Sequence, residues 1–287
     1  MNETTILISS KASAPPLENL RKLRVSSILS ITALIIVLLW IIAPHWFTGF
    51  NPLIGDYKTT LRAPSAHNWF GTDHLGRDVF ARTVYGARQT ALAAGIAVAG
   101  GAIIGATIGL IAGTAGRLAD AVLMRLVDVI TALPSFLIAV LVVALMGRSQ
   151  WSLALGVALG SVALFARVMR AETLKVRNYD FVTVATISGS SYWRTVALRI
   201  LPNAAGPVLS LTVVELGSAI LTISALGFIG FGAPPPTPEW GLIVAEGRNQ
   251  LALAWWISSL PGLVICAMVL AFGNLGRILR GDARRHD

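Results

Sequence analysis

The chain has 287 residues, 55% of them hydrophobic and only 13% charged, with a formal charge of +9 and a mean hydropathy of +0.71. Soluble domains are roughly a quarter charged, so this composition excludes a disordered tail protein and argues against an ordinary cytosolic enzyme. Nucleic-acid binders show basic stripes on a polar background, and here the background is apolar.

What remains is an integral membrane protein. A bilayer core about 30 Å thick needs roughly 20 apolar residues in a helix, and six stretches supply them. After a polar tail at 1–24, the first span covers 25–44. Its apolar run is too long for a signal-peptide core and lacks a small-x-small cleavage pattern, so it reads as a retained anchor. Residues 45–89 read as an outer loop with a short amphipathic helix beginning near Leu75, where Thr72 or Asp73 caps it and Asp78 pairs with Arg82. A five-helix core then fills 90–281, with spans at about 90–115, 121–147, 150–166, 200–231 and 249–275 and a tail at 282–287. The fourth span is short and continues as a polar helix beyond the membrane. With both termini inside, 16 of the 23 Lys and Arg fall on inner segments and seven on outer ones, as the positive-inside rule requires. Trp40, Trp46, Trp69, Trp151, Trp240, Trp255 and Trp256 then lie on or near the outer side, as an interfacial belt. The expected fold is an all-α membrane protein of six transmembrane helices, N-in and C-in.

Within the spans, small residues recur every fourth position in the second helix: Ala93, Ala97, Gly101, Gly105, Gly109 and Gly113. That spacing holds one face aligned for close helix packing or for a sliding contact during movement. Gly156 and Gly160 repeat the pattern in the fourth. Arg125 and Asp128, three apart, can form an ion pair at the inner surface or meet a partner there. Glu215 lies deep in the fifth span with no cation nearby in sequence, where a charge is expensive. It either faces a water-filled pathway or is hydrogen-bonded between helices.

Catalytic signatures are missing. No lysine follows a glycine, so there is no phosphate-binding P-loop, and neither H-E-x-x-H nor G-x-S-x-G occurs. A single cysteine, Cys266, rules out a disulfide framework and a Cys-based zinc site. His67 and His74 with Asp73 match no metal-ligand spacing, so no metal site is expected. An intramembrane enzyme would need a convergent polar cluster that the sequence does not show.

The inner loop from Arg167 to Arg199 is the most informative stretch. Two short amphipathic pieces, 180–189 and 190–199, break at Gly189 and end at Ile200-Leu201-Pro202-Asn203. They form a knob with apolar residues that suits a soluble partner. This loop resembles the signature of ATP-binding-cassette (ABC) importer permeases, E-A-A, three residues, Gly, then an apolar-x-x-Pro. The aligned positions here are Thr183-Val184-Ala185, Gly189 and Ile200 to Asn203, with Thr183 in place of the glutamate. Gly71-Thr-Asp-His-Leu-Gly-Arg-Asp78, Met124 to Asp128 with Leu133-Pro134, and Leu226 to Gly232 with Pro234 to Gly241 resemble the peptide/nickel branch. The short segment between the first two spans is similar to the C-type permease of dipeptide and oligopeptide systems.

The resemblance implies a permease subunit, without its own ATP site, in a bacterial cytoplasmic (inner) membrane. By that resemblance it would pair with a second permease as a heterodimer, with two ATP-binding subunits that hold ATP and Mg, and with an extracytoplasmic substrate-binding protein. No cofactor and no nucleic acid are expected in this chain. The coupling-helix loop between spans 4 and 5 would dock on the ATPase through Thr183, Ala185, Gly189, Trp193 and Pro202; Glu215, from its depth in the fifth span rather than from the resemblance, is the candidate for the substrate pathway. Members carry peptides, nickel chelates, haem, glutathione and other small solutes. The competing reading is a stand-alone channel or secondary transporter, against which the lack of inverted repeats counts.

Overall fold

Where the sequence offers an uninterrupted apolar run the backbone is helical, and polar caps, glycines or prolines end each run. The computed structural model describes residues 17–283, and among them there is no β-strand. Ten α-helices follow in order: α1 (Leu17–Ile42), α2 (Val79–Thr114), α3 (Arg117–Thr131), α4 (Ser135–Met146), α5 (Gln150–Arg177), α6 (Asp180–Ile187), α7 (Tyr192–Thr195), α8 (Leu201–Phe228), α9 (Trp240–Gly247) and α10 (Trp256–Ala283). A π-helical turn at Val196–Ile200 makes α7 and α8 continuous. Five helical segments are long and apolar enough to cross a membrane, and α3 with α4 make a sixth if that bent pair is one span.

Several boundaries differ from the sequence expectation. The predicted third span, 121–147, is broken at 132–134, and its halves meet at 80°. Pro134 supplies no N–H and disfavours helical geometry at Leu133. The twelve residues of α4 reach only about 18 Å, too short to span alone. In the predicted loop helix, Leu75 lies in a turn and the helix begins at Val79, capped by Asp78, whose carboxylate accepts from Ala81 N at 2.6 Å. The tails at 1–24 and 282–287 lie outside the described residues, except that 17–24 and 282–283 are helical. The sixth span starts at Trp256, because 248–255 form turns.

The closest packing joins α2 to α5. Gly101, Gly105, Gly109 and Gly113 are buried, and a Cβ there would collide with Ser161 Oγ, Val162 O, Ala166 O and Thr173 Cγ2 in turn. On its other face, α5 brings Gly156 and Gly160 against Ala139 and Ser135 of α4. Gly217 of α8 packs on Val269 and Phe272 of α10. Trp40 of α1 meets Phe80 edge-on at 5.8 Å. The bundle has two ends. One, hereafter the loop end, carries the 43–78 connection, the α4–α5 turn and α9; the knob end carries α6 and α7.

Candidate functional site

At the knob end, α6 starts with Asp180 in its first turn, which complements the positive end of the helix. Its other end is a Schellman turn, with Gly189 N donating to Thr186 O and Ser190 N to Ala185 O, both at 3.1 Å. That geometry requires Gly189 at φ +82°, a backbone that favours glycine. The knob is tied to α2, since Tyr192 Oη donates to Thr114 Oγ1 at 2.9 Å and Arg177 Nη1 to Gly113 O at 3.3 Å.

Only Val182, Thr195, Val196 and Ile200 of this segment are buried. Ile187 is 80% exposed and Trp193 76%, and Val184 and Leu198 are also exposed. Thr183, Gly189 and Pro202 are exposed and Ala185 is half-buried. Two recesses flank α6. One, of about 400 Å³, lies towards Thr114, Arg177 and Tyr192, and the other, of about 750 Å³, is lined by Phe181, Val184, Ala185, Gly189, Arg194 and Leu198. Apolar side chains left exposed in this way suit a protein contact.

The loop end is the opposite case. Arg77 Nε lies 2.7 Å from Asp73 Oδ2 and its Nη2 lies 2.9 Å from Glu246 Oε2. Arg82 Nη1 lies 2.8 Å from Asp73 Oδ2 and also pairs with Glu246. The Asp73 and Arg82 side chains are fully buried. Two cations and two anions thus clamp the start of α2 to α9. Arg82 bonds Asp73 and Glu246 here, and not Asp78 as i,i+4 spacing suggests. Asp73, His74 and Glu246 offer ligand atoms within 4.8 Å of one another. However, Asp73 already accepts from Leu75 N, Arg77 N, Arg77 Nε and Arg82 Nη1, which occupies its four acceptor sites. His67 packs apart from them, on Phe50.

Beside this network, Glu239 caps α9, accepting from Gly241 N at 2.8 Å and Leu242 N at 3.1 Å. Burial pushes its carboxyl up to about 7 against the opposing pull of those two N–H groups. Trp240 Nε1 donates to Thr83 O and Trp256 Nε1 to Thr72 O. Trp40, Trp240 and Trp256 are therefore buried packing residues, whereas Trp46, Trp69, Trp151 and Trp255 are exposed as belt residues would be.

The expected Arg125–Asp128 pair does not form. Asp128 Oδ1 accepts from Arg167 Nη2 at 2.9 Å, and the same nitrogen reaches Thr131 Oγ1. The reason is tertiary: α3 lies along α5, so Asp128 finds a cation on its neighbour, and Arg170 likewise grips Asp120 with two bonds. Glu215 is half-buried in α8 and has no hydrogen-bond or ion-pair partner among the described residues.

Comparison with known proteins accounts for this arrangement. Residues 105–281 match the family of binding-protein-dependent transport system inner membrane components. A dipeptide transport system permease protein of Alkalihalophilus pseudofirmus is 36% identical over 261 residues, covering 90% of this chain and 84% of the relative. A glutathione transport system permease protein of Pectobacterium atrosepticum is 37% identical over 256 residues, 88% of this chain and 85% of the relative. In the solved structures, a chain of the MetNI methionine ABC transporter superposes with a TM-score of 0.55 at 18% identity, covering 70% of this chain and 95% of that one.

The chain belongs to the family of binding-protein-dependent inner-membrane transport components. It is a multi-pass permease subunit of an ABC importer in a bacterial inner membrane, and the stand-alone channel or secondary-transporter reading is set aside. The family's permeases have no ATPase site of their own, in keeping with the missing P-loop.

Proposed function

We propose that this permease moves peptides or a similar small solute inward, as the C-type half of a heterodimeric pathway. The relatives' substrates support that class. The knob end faces the cytoplasm and the loop end faces outward, an orientation supported by 16 of 23 basic residues on inner segments. Two partner ATPase subunits hold ATP and Mg, and an extracytoplasmic binding protein delivers the substrate at the loop end. The core helices follow alternating access as ATPase closure pulls the knob.

The observation that carries this reading is the apolar patch of Val184, Ile187, Trp193 and Leu198, left uncovered on a knob tied to α2 and continuous with α8. A side chain at position 183 lies exposed beside it, so Thr183 can take a docking position without the acidic group that the family signature has there. Pro202, in the first turn of α8, sits exposed where the pull enters the span. Gly189→Val tests the coupling directly. A Cβ there meets open space, but φ +82° is strained for valine, so the Schellman turn loosens without disturbing the bundle. In proteoliposomes holding the whole transporter, uptake per ATP hydrolysed should fall at least about fivefold, the factor for the lower end of a strain of about 1–3 kcal/mol. Normal coupled uptake in that variant contradicts the reading.

A further inference from the structure

The outer half of α8 has a stripe that the rest of the described bundle covers only in part. Leu211, Glu215, Ser218, Thr222, Ala225 and Ile229 follow one another at steps of four and three, and none of them is buried. That spacing places all six on one helix face. The neighbouring faces are occupied: Gly217 lies on α10, and Ile220 and Ile223 are buried. Towards the knob Val208 and Ala204 are buried, whereas Pro207, four residues before Leu211, is exposed. The partly covered strip therefore runs from the loop end to beyond mid-span.

Glu215 lies at the middle of α8. Fourteen residues separate it from Leu201 and thirteen from Phe228, roughly 20 Å of helix on either side. The apolar stretches 25–42, 89–114, 135–146, 150–166 and 256–276 hold no Asp, Glu, Lys or Arg, so Glu215 is the lone charge at this depth in the described spans. A carboxylate at mid-bilayer is too costly to face acyl chains, and among the described residues none pairs with it. Ser218 and Thr222 stand one and two turns above it on the same stripe. The Thr222 hydroxyl donates to Ser218 O at 2.9 Å, leaving its oxygen lone pairs as acceptors. One carboxylate with hydroxyl acceptors above it complements a group with positive charge and several N–H donors, which is a primary ammonium.

We propose that Glu215, with Ser218 and Thr222, forms a subsite on the pathway face of α8 that takes the primary ammonium of the peptide as it crosses. This rests on the peptide-importer reading, and it adds the chemical group that the permease itself reads. The carboxylate holds the ammonium near the middle of the helix, so a substrate entering from the loop end is retained there on its way across.

The test uses the full transporter in proteoliposomes, with its binding protein loaded with dialanine. Three quantities are measured for the wild type, Glu215→Gln and Glu215→Asp: dialanine uptake, stimulated ATP hydrolysis, and co-purification of the second permease. Gln keeps a carbonyl acceptor and loses only the charge, so uptake should fall about tenfold in Glu215→Gln, with hydrolysis and co-purification unchanged. Glu215→Asp should retain most of the uptake. Unchanged uptake in Glu215→Gln overturns the proposal. So does a joint loss of uptake and co-purification, which would mean that Glu215 pairs with a cation of the second permease. A wild-type transporter that hydrolyses ATP but moves no dialanine defeats the peptide reading itself, and this inference with it; that result is read on the wild type alone.

Discussion

The two ends of the bundle treat polar and apolar groups in opposite ways. At the loop end, Asp73, Arg77, Arg82 and Glu246 are gathered from positions up to 173 residues apart and buried as a neutral cluster. At the knob end, a segment of similar size leaves Ile187 and Trp193 largely in solvent. A region that pairs its own charges under cover is scaffold. One that leaves aromatic and aliphatic side chains outside has left room for another protein.

The contrast can be broken first at the scaffold. Arg82→Ala leaves Asp73 and Glu246 short of a cation in a buried site, a loss of about 3–5 kcal/mol. Such a variant should fail to accumulate in the membrane, as size-exclusion chromatography of the tagged protein in detergent would show. Next, Gly109→Leu forces a side chain into Ala166 O and Met169 of α5. Overpacking at that contact should cost about 1–3 kcal/mol or more, read as a lower melting temperature.

A third effect depends on pH. Since burial raises the Glu239 carboxyl from 4.5 to about 7, the folded state favours its protonated form. Its contribution to stability is complete below about pH 4.5 and is lost as pH rises through 7, a difference of about 3 kcal/mol. The melting temperature of the wild type should therefore climb relative to Glu239→Gln as pH is lowered from 8 to 5. Parallel profiles for the two proteins would show that Glu239 does not titrate there.

The smallest expected effects on stability lie where side chains are exposed. Asp128→Asn removes an ion pair whose partners are 51% and 63% exposed, and should shift stability by no more than about 1 kcal/mol. Trp193→Ala should leave stability within about 0.5 kcal/mol of wild type while abolishing co-purification of the ATPase subunits. If Trp193→Ala melts early, the knob belongs to the scaffold and the contrast fails.

Much of this division was legible in the sequence, because apolar run length and helix periodicity are local quantities. The glycine stripe of α2 could be read from spacing by four, although the sequence does not say that Ser161 and Phe165 lie opposite. Leu133-Pro134 was visible as a motif, but the 80° angle and the pairing of α3 with Arg167 and Arg170 of α5 are tertiary and could not be read from it. For the same reason Asp128 passed over Arg125, three residues away, for a cation 39 residues on. The partners Arg82 and Glu246 are 164 residues apart, and no periodicity links them. In the knob, Gly189 and the apolar positions around it were readable, since a Schellman turn is itself a local device.

The central claim is that the exposed knob docks on the ATPase subunit. In a Cys266→Ser background, Ile187→Cys should cross-link to the ATPase subunit of the assembled transporter under a short bifunctional thiol–amine reagent. Leu270→Cys, exposed on the apolar face of α10, serves as the control and should not. Efficient cross-linking at Ile187 alone is the predicted result. Equal cross-linking at both positions, or none at Ile187 in a complex that transports, would contradict the account.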